Sequence, residues 1–173
     1  MKKPIFLRRT NLKRLLWVTV ATLLFTFQLG IANASAYELE ESVRTVPLNE
    51  GGEEVVFSTK QLDQGQRLFR NTCSKCHAAG RTKTNPNVTL NQEALEGAEP
   101  RRDNVLALVD YMENPTSYDG EIDLKEIHPN TSRSDIWLSM RNLTEEDLED
   151  IAGHILVQQK ILGKVWGGGK VYN

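Results

Sequence analysis

Apolar residues recur through the chain at the three-and-four spacing of helices buried along one side. Leu62, Gly65, Leu68 and Phe69 form one such stripe, predicting a helix capped by Ser58 or Thr59 and ending at Cys73. Gly65 within it predicts a close approach by another helix. Val105, Leu108, Val109 and Met112 form a second stripe, from about Arg102 to Glu113, which stops before Pro115 because a proline drives its predecessor out of helical geometry. Leu148, Ile151, Ala152 and Ile155 form a third, opened by Thr144 with Asp147 at capping-box spacing. Shorter helices are predicted near Gln92–Leu95 and, capped by Ser132 or Ser134, through Ile136, Trp137 and Met140.

The β-favouring runs are few. Val43–Leu48 and Glu53–Ser58 flank Asn49-Glu50-Gly51-Gly52, which reads as a small hairpin ahead of the helices. The polar segment from Gly80 to Asn91 reads as a loop, and Asp119-Gly120 as a turn. The pattern is that of an all-α protein with a short N-terminal β-hairpin, and no internal repeat is visible.

The first 36 residues follow different rules. Lys2, Lys3, Arg8, Arg9, Lys13 and Arg14 precede a mostly apolar stretch from Leu15 to Leu29, and Ala34-Ser35-Ala36 is a small-residue cleavage site. This pattern predicts a cleaved export signal over residues 1–36 and a single domain over residues 37–173. Gln28, Gly30 and Asn33 interrupt the apolar run, which is short for the roughly 20 residues of a membrane span. Arg8-Arg9 hints at twin-arginine export, a route for folded cargo, but the general secretory route is favoured. The predicted destination is a periplasm or a thylakoid lumen.

Charge changes with that cleavage. The signal carries six of the 21 Lys and Arg and none of the 23 Asp and Glu, so residues 37–173 have a net charge of −8 with His neutral. An acidic surface argues against nucleic acid and anionic lipid, and suits docking to basic protein patches or simply keeps the protein soluble.

The chemistry is concentrated in Cys73-Ser74-Lys75-Cys76-His77. Two thiols at this spacing with His immediately after is the attachment pattern of haem c, in which each Cys adds across a vinyl group and the His ligates iron. A zinc site needs further paired ligands, and the chain has only these two Cys. A redox pair expects a neighbouring βαβ pattern, and a plain disulfide gives no role to the His.

Four side chains could supply a sixth iron ligand: Met112, Met140, His128 and His154. Met112 sits on an apolar stripe and reads as core. His154 lies roughly 120° around the wheel from the Leu148 stripe and reads as partly exposed, without a metal role. Met140 follows Ile136 by four residues, which suits core packing on a short helix, while its thioether keeps it a rival ligand. His128 precedes Pro129 and so projects from an extended segment. It ranks above Met140, although both side-chain types bind haem iron.

A helix before CxxCH, a central helix and a long C-terminal helix opening on Leu143-Thr144-Glu145-Glu146 resemble the class I cytochrome c fold. TVPLN at Thr45–Asn49, CSKCHxxG at Cys73–Gly80, NPxxYDG at Asn114–Gly120, EIHP at Glu126–Pro129 and GKVWGGGKVY at Gly163–Tyr172 carry the likeness further. On these motifs the chain resembles, over nearly its whole length, the PsbV family of low-potential extrinsic cytochromes c of photosystem II.

The resemblance implies one covalently bound haem c on Cys73 and Cys76, with His77 and His128 as axial iron ligands. It implies no catalytic residues, no small-molecule substrate and no enzyme activity. The expected place is the lumenal face of the thylakoid membrane, peripheral to it, beside photosystem II core subunits and other extrinsic subunits. The expected role is to shield the manganese–calcium cluster and help it retain calcium and chloride. The rival is a soluble electron carrier of lumen or periplasm. Gly167-Gly168-Gly169 ahead of Val171-Tyr172 reads as a fraying tail unless a partner orders it. Sequon matches at Asn87, Asn130 and Asn142 read as chance, since the pattern is short.

Overall fold

Three longer helices form where the stripes predict, each started by a side chain that satisfies a free backbone N–H. This structure is a computed structural model and describes residues 14, 16–22 and 39–168. Helix α1 is a single turn, Glu41–Arg44, and leads into β1 (Thr45–Pro47), which pairs antiparallel with β2 (Glu54–Val56). The register sets Val46 opposite Val55, and Val46 is buried in the core. The hairpin is shorter than expected because residues 43 and 44 are wound into α1, whose Thr45 hydroxyl donates to the Glu41 carbonyl at 2.8 Å.

Helix α2 (Thr59–Thr72) is closed by a capping box between Ser58 and Gln61. A short α3 (Gln92–Glu96) is capped by Asn91, and α4 (Val105–Glu113) by Asn104. Helix α5 (Glu145–Leu162) has a capping box between Thr144 and Asp147, with three acids in its first turn and Lys160 in its last, the arrangement a helix dipole favours. Helix α5 packs against both α2 and α4. Its residues Leu148, Ile151, Ala152, Ile155, Leu156 and Val157 supply much of the core, together with Phe57, Phe69, Val105 and Leu108. A Cβ at Gly65 would lie 1.9 Å from the Asp150 carbonyl oxygen, so α2 and α5 touch backbone to backbone there.

Two sequence expectations fail here. Residues 132–140 form successive turns instead of a helix. The buried Asn130 side chain accepts from the Arg133 N–H at 2.8 Å, while Trp137 Nε1 donates to the Lys125 carbonyl at 2.8 Å. These side-chain bonds draw the segment back onto residues 125–130 and replace a continuous ladder. His154 is buried, not partly exposed. Helix α5 is covered on more than one side, so a single-stripe reading of its wheel does not apply.

The chain divides into two compact units, Met1–Glu38 and Leu39–Asn173. In the first, residues 16–22 are helical; most of the expected export signal lies outside the described residues. Among the described residues no helix is long and apolar enough to cross a membrane. The tail is ordered further than expected: Trp166 and Gly167 are buried, and the Gly167 N–H donates to the Ala79 carbonyl at 2.8 Å. Residues 169–173 lie outside the described residues.

Candidate functional site

The end of α2 delivers the first half of the site. Cys73 caps the helix, and both the Cys76 and His77 N–H groups return to its carbonyl, at 3.1 and 2.9 Å. This tight turn gathers Cys73, Cys76 and His77 on one wall of a cavity of about 380 Å³. The turn is held from outside by Lys83 N–H donating to the Cys76 carbonyl at 2.9 Å, Leu90 N–H to Gly80 at 2.8 Å, and Gly167 N–H to Ala79. Gly80 has φ +77°, and a Cβ there would meet the Trp166 ring at 2.8 Å. The closing segment of the chain therefore presses directly on the loop that follows His77.

The second half comes from the loop after α4. His128 N–H donates to the Leu124 carbonyl at 2.8 Å, and the fully buried Asn130 donates through Nδ2 to the carbonyls of Lys125 and His128. Thr131 N–H and Ser132 Oγ then bond to the carbonyls of Met112 and Glu113 at the end of α4. The loop is thus tied at both ends, and His128 lines the same cavity. The burial of Asn130 also removes it as a glycosylation site.

The two imidazoles face one another with ring centres 6.1 Å apart and planes inclined at 56°. Two imidazoles sharing one metal ion at about 2 Å from each nitrogen have ring centres about 6 Å apart, so the spacing suits an iron between them. His77 Nδ1 lies 3.1 Å from Thr82 Oγ1, leaving Nε2 as the available donor. Burial, and then the neighbouring His128, push the His77 pKa down to about 4. Burial likewise lowers that of His128, with the Pro129 backbone drawing it partway back. Both shifts favour the neutral ring, the form that ligates metal.

Both cysteines are free thiols. Cys73 is raised by burial, offset in part by Thr72 Oγ1 at 3.1 Å from its sulfur. The cavity is otherwise mostly apolar, with Phe69, Leu95, Leu108, Met112, Met140 and Ile155 in its walls. Two thiols, two opposed imidazoles and an apolar lining fit a flat iron porphyrin. Met112 and Met140 are buried in that lining, and His154 does not reach it.

Three contributors went unnoticed in the sequence. Thr82 sits in a loop without a pattern. Tyr111 packs edge-on to His128 with ring centres 5.2 Å apart, and Arg102 lies 4.1 Å above the Tyr111 ring. Only the Tyr111 position, three residues on from Leu108, could have been read as inward-facing.

Comparison with known proteins follows the same lines. Residues 37–173 match the cytochrome c-550 domain family. Photosystem II extrinsic protein V of Aphanothece halophytica is 60% identical over 162 residues, covering 94% of this chain and 99% of that protein. The same-named protein of a Picosynechococcus species is 57% identical over 162 residues, covering 94% and 95%. A crystal structure of cytochrome c549 superposes with a TM-score of 0.73 at 49% identity, covering 74% of this chain and 99% of that one. The PsbV2 cytochrome of Thermosynechococcus elongatus superposes with a TM-score of 0.60 at 36% identity, covering 71% and 87%.

Proposed function

Because the chain belongs to the cytochrome c-550 family, whose members are electron-transfer haem proteins rather than enzymes, we propose that it is the haem-bearing extrinsic subunit of photosystem II on the lumenal side. The observation that carries this reading is the pair of imidazoles 6.1 Å apart, in a cavity also lined by Cys73 and Cys76.

Cys73 and Cys76 would hold one haem c through thioether links, with His77 and His128 as the ligands to its iron. When bound, this group supplies a one-electron ferric/ferrous couple. Two imidazole donors favour the ferric state more than an imidazole and a thioether do, so the potential is low. With both imidazoles committed to the iron, the chain would leave no open site for oxygen or peroxide chemistry. A low potential also suits a high-potential relay poorly, which disfavours the soluble-carrier alternative.

The function then lies in docking. The acidic residues 37–173, released by cleavage of residues 1–36, bind peripherally to photosystem II core subunits and other extrinsic subunits in the thylakoid lumen. There the protein covers the manganese–calcium cluster and helps it retain calcium and chloride. The similarity to proteins named for photosystem II, at 60% and 57% identity, supports this assembly.

A salt wash of oxygen-evolving photosystem II from the source organism tests the reading. Haem-stained protein should appear in the supernatant, oxygen evolution should fall, and adding back the purified protein should restore it. Absence of the protein from the complex, or release without loss of activity, would overturn the subunit assignment in favour of a soluble carrier.

A further inference from the structure

Arg102 carries a positive charge into the cavity without a negative partner. The residue is 6% exposed and lines the same cavity as the two histidines. Its Nη2 donates to the carbonyls of Thr116 at 3.2 Å and Ser117 at 2.6 Å, and to Thr116 Oγ1 at 3.3 Å. Those acceptors are neutral. Its Nε is buried with no hydrogen-bond partner, and among the described residues no carboxylate pairs with it.

A guanidinium does not escape this situation by losing its proton, because it stays charged throughout the ordinary pH range. Leaving such a charge buried and unpaired is strongly unfavourable. The Tyr111 face beneath it, 4.1 Å from Cζ, offsets part of this through the ring quadrupole but supplies no negative charge and no acceptor for Nε. Among the described residues no carboxylate lines the cavity. The group proposed above brings two of its own, the propionates, on the half of the macrocycle away from the vinyl groups that bond to the cysteines.

We infer that Arg102 anchors a haem propionate, with the Thr116–Ser117 carbonyls fixing the guanidinium and Tyr111 stacking beneath it. This inference rests on the haem reading of the cavity. It adds a positioning residue to that site: Arg102 sets how the porphyrin is oriented and, through Tyr111 against His128, links the propionate to the ligand loop. A guanidinium beside a propionate also cancels negative charge near the iron, and so holds the potential higher than it would otherwise be.

The test uses the purified holoprotein with Arg102→Gln and Arg102→Lys variants. Three quantities are read: the propionate bending band in resonance Raman, the midpoint potential, and the low-spin electron paramagnetic resonance signal of two-imidazole ligation. The expected result is a shifted propionate band in both variants and a lowered potential in Arg102→Gln, with the ligation signal kept. A merely structural tie between Arg102 and the 116–117 segment would leave the propionate band in place. An unmoved band and potential in Arg102→Gln, with the ligation signal present, overturns the anchor while leaving the ligands as proposed. If the parent lacks the two-imidazole signal yet its propionate band responds to Arg102, the ligand assignment fails and the anchor stands. Should Arg102→Gln not accumulate, Arg102→Lys decides: it keeps the charge and loses the planar fork, so an unchanged band there also overturns the anchor.

Discussion

Replacing Gly65 by alanine sets two effects of known sign against each other. On helix propensity alone the change stabilises α2 by about 1 kcal/mol, because glycine is the costlier residue within a helix. The structure predicts the opposite outcome. The added Cβ would lie 1.9 Å from the Asp150 carbonyl oxygen, 2.5 Å from its carbon and 3.1 Å from His154 Cβ. Ordinary contact needs about 3.4 Å or more, and the two nearest atoms are helix backbone, so neither can swing aside. The α2–α5 pair must open by roughly 1 Å, and a gap of that size forfeits up to about half of each dispersion contact across it.

Overpacking of this kind costs about 1–3 kcal/mol and at times more. An approach of 1.9 Å to helix backbone puts the cost at the upper end, about 3 kcal/mol, and with the propensity gain of about 1 kcal/mol set against it a net loss of about 2 kcal/mol is expected. In urea, with a slope of about 2 kcal/mol/M, the unfolding midpoint falls by about 1 M. Circular dichroism of the holoprotein in both forms measures this. A midpoint equal to or above the parent's, at an unchanged slope, would refute the claim that backbone contact with α5 is what requires glycine at position 65.

Other consequences can be checked on the same preparation. His128→Met should leave the haem attached and raise the midpoint potential, with a sulfur-to-iron near-infrared band; an unchanged spectrum and potential sinks the ligand assignment. Trp166→Ala removes a buried ring standing 5.7 Å from Phe69 and 6.0 Å from His154, a loss of about 3–5 kcal/mol by precedent for buried aromatics. Proteolysis of the 81–90 loop should rise in parallel, and stability within 1 kcal/mol of the parent would count against the tail as a brace. For acidity, burial pushes His154 down to about 4, so the unfolded chain binds a proton below about 6.5 that the native state does not, and stability falls as pH falls through that window. Burial, and then Glu146, push Asp150 up to about 6, so its contribution is present at low pH and lost as pH rises through 6. Relative to the parent, His154→Gln should gain stability toward acid and Asp150→Asn should lose it; parallel urea-midpoint profiles for all three proteins would show that neither group titrates this way.

Local patterns were legible wherever one short stretch decides its own structure. The stripes at 62–69, 105–112 and 148–155, the caps at Ser58 and Thr144, and the thiols and imidazole of Cys73–His77 all follow from neighbours a few residues apart. His128 instead closes a turn, its N–H donating to the Leu124 carbonyl at 2.8 Å, so its place was fixed by that turn and by Asn130 rather than by Pro129 alone. What failed depended on residues distant in the chain. The segment at 132–140 has helical spacing, yet Asn130 and Trp137 bond back to residues 125–133 and hold it in turns.

The chain's order by itself therefore determined the three long helices, the thiol–imidazole motif of Cys73–His77 and a short set of candidate ligands that included His128. Only the tertiary structure decided which residues meet across the cavity. His77 and His128 are 51 positions apart in the sequence and face each other because α2 is packed on α5 while the 124–132 loop is tied to the end of α4. His154, read as partly exposed from one face of its helix, is buried because α5 meets several neighbours at once. Arg102 showed nothing in the sequence, since a buried charge is recognised by the partners it lacks, and those are counted only after folding has removed the water.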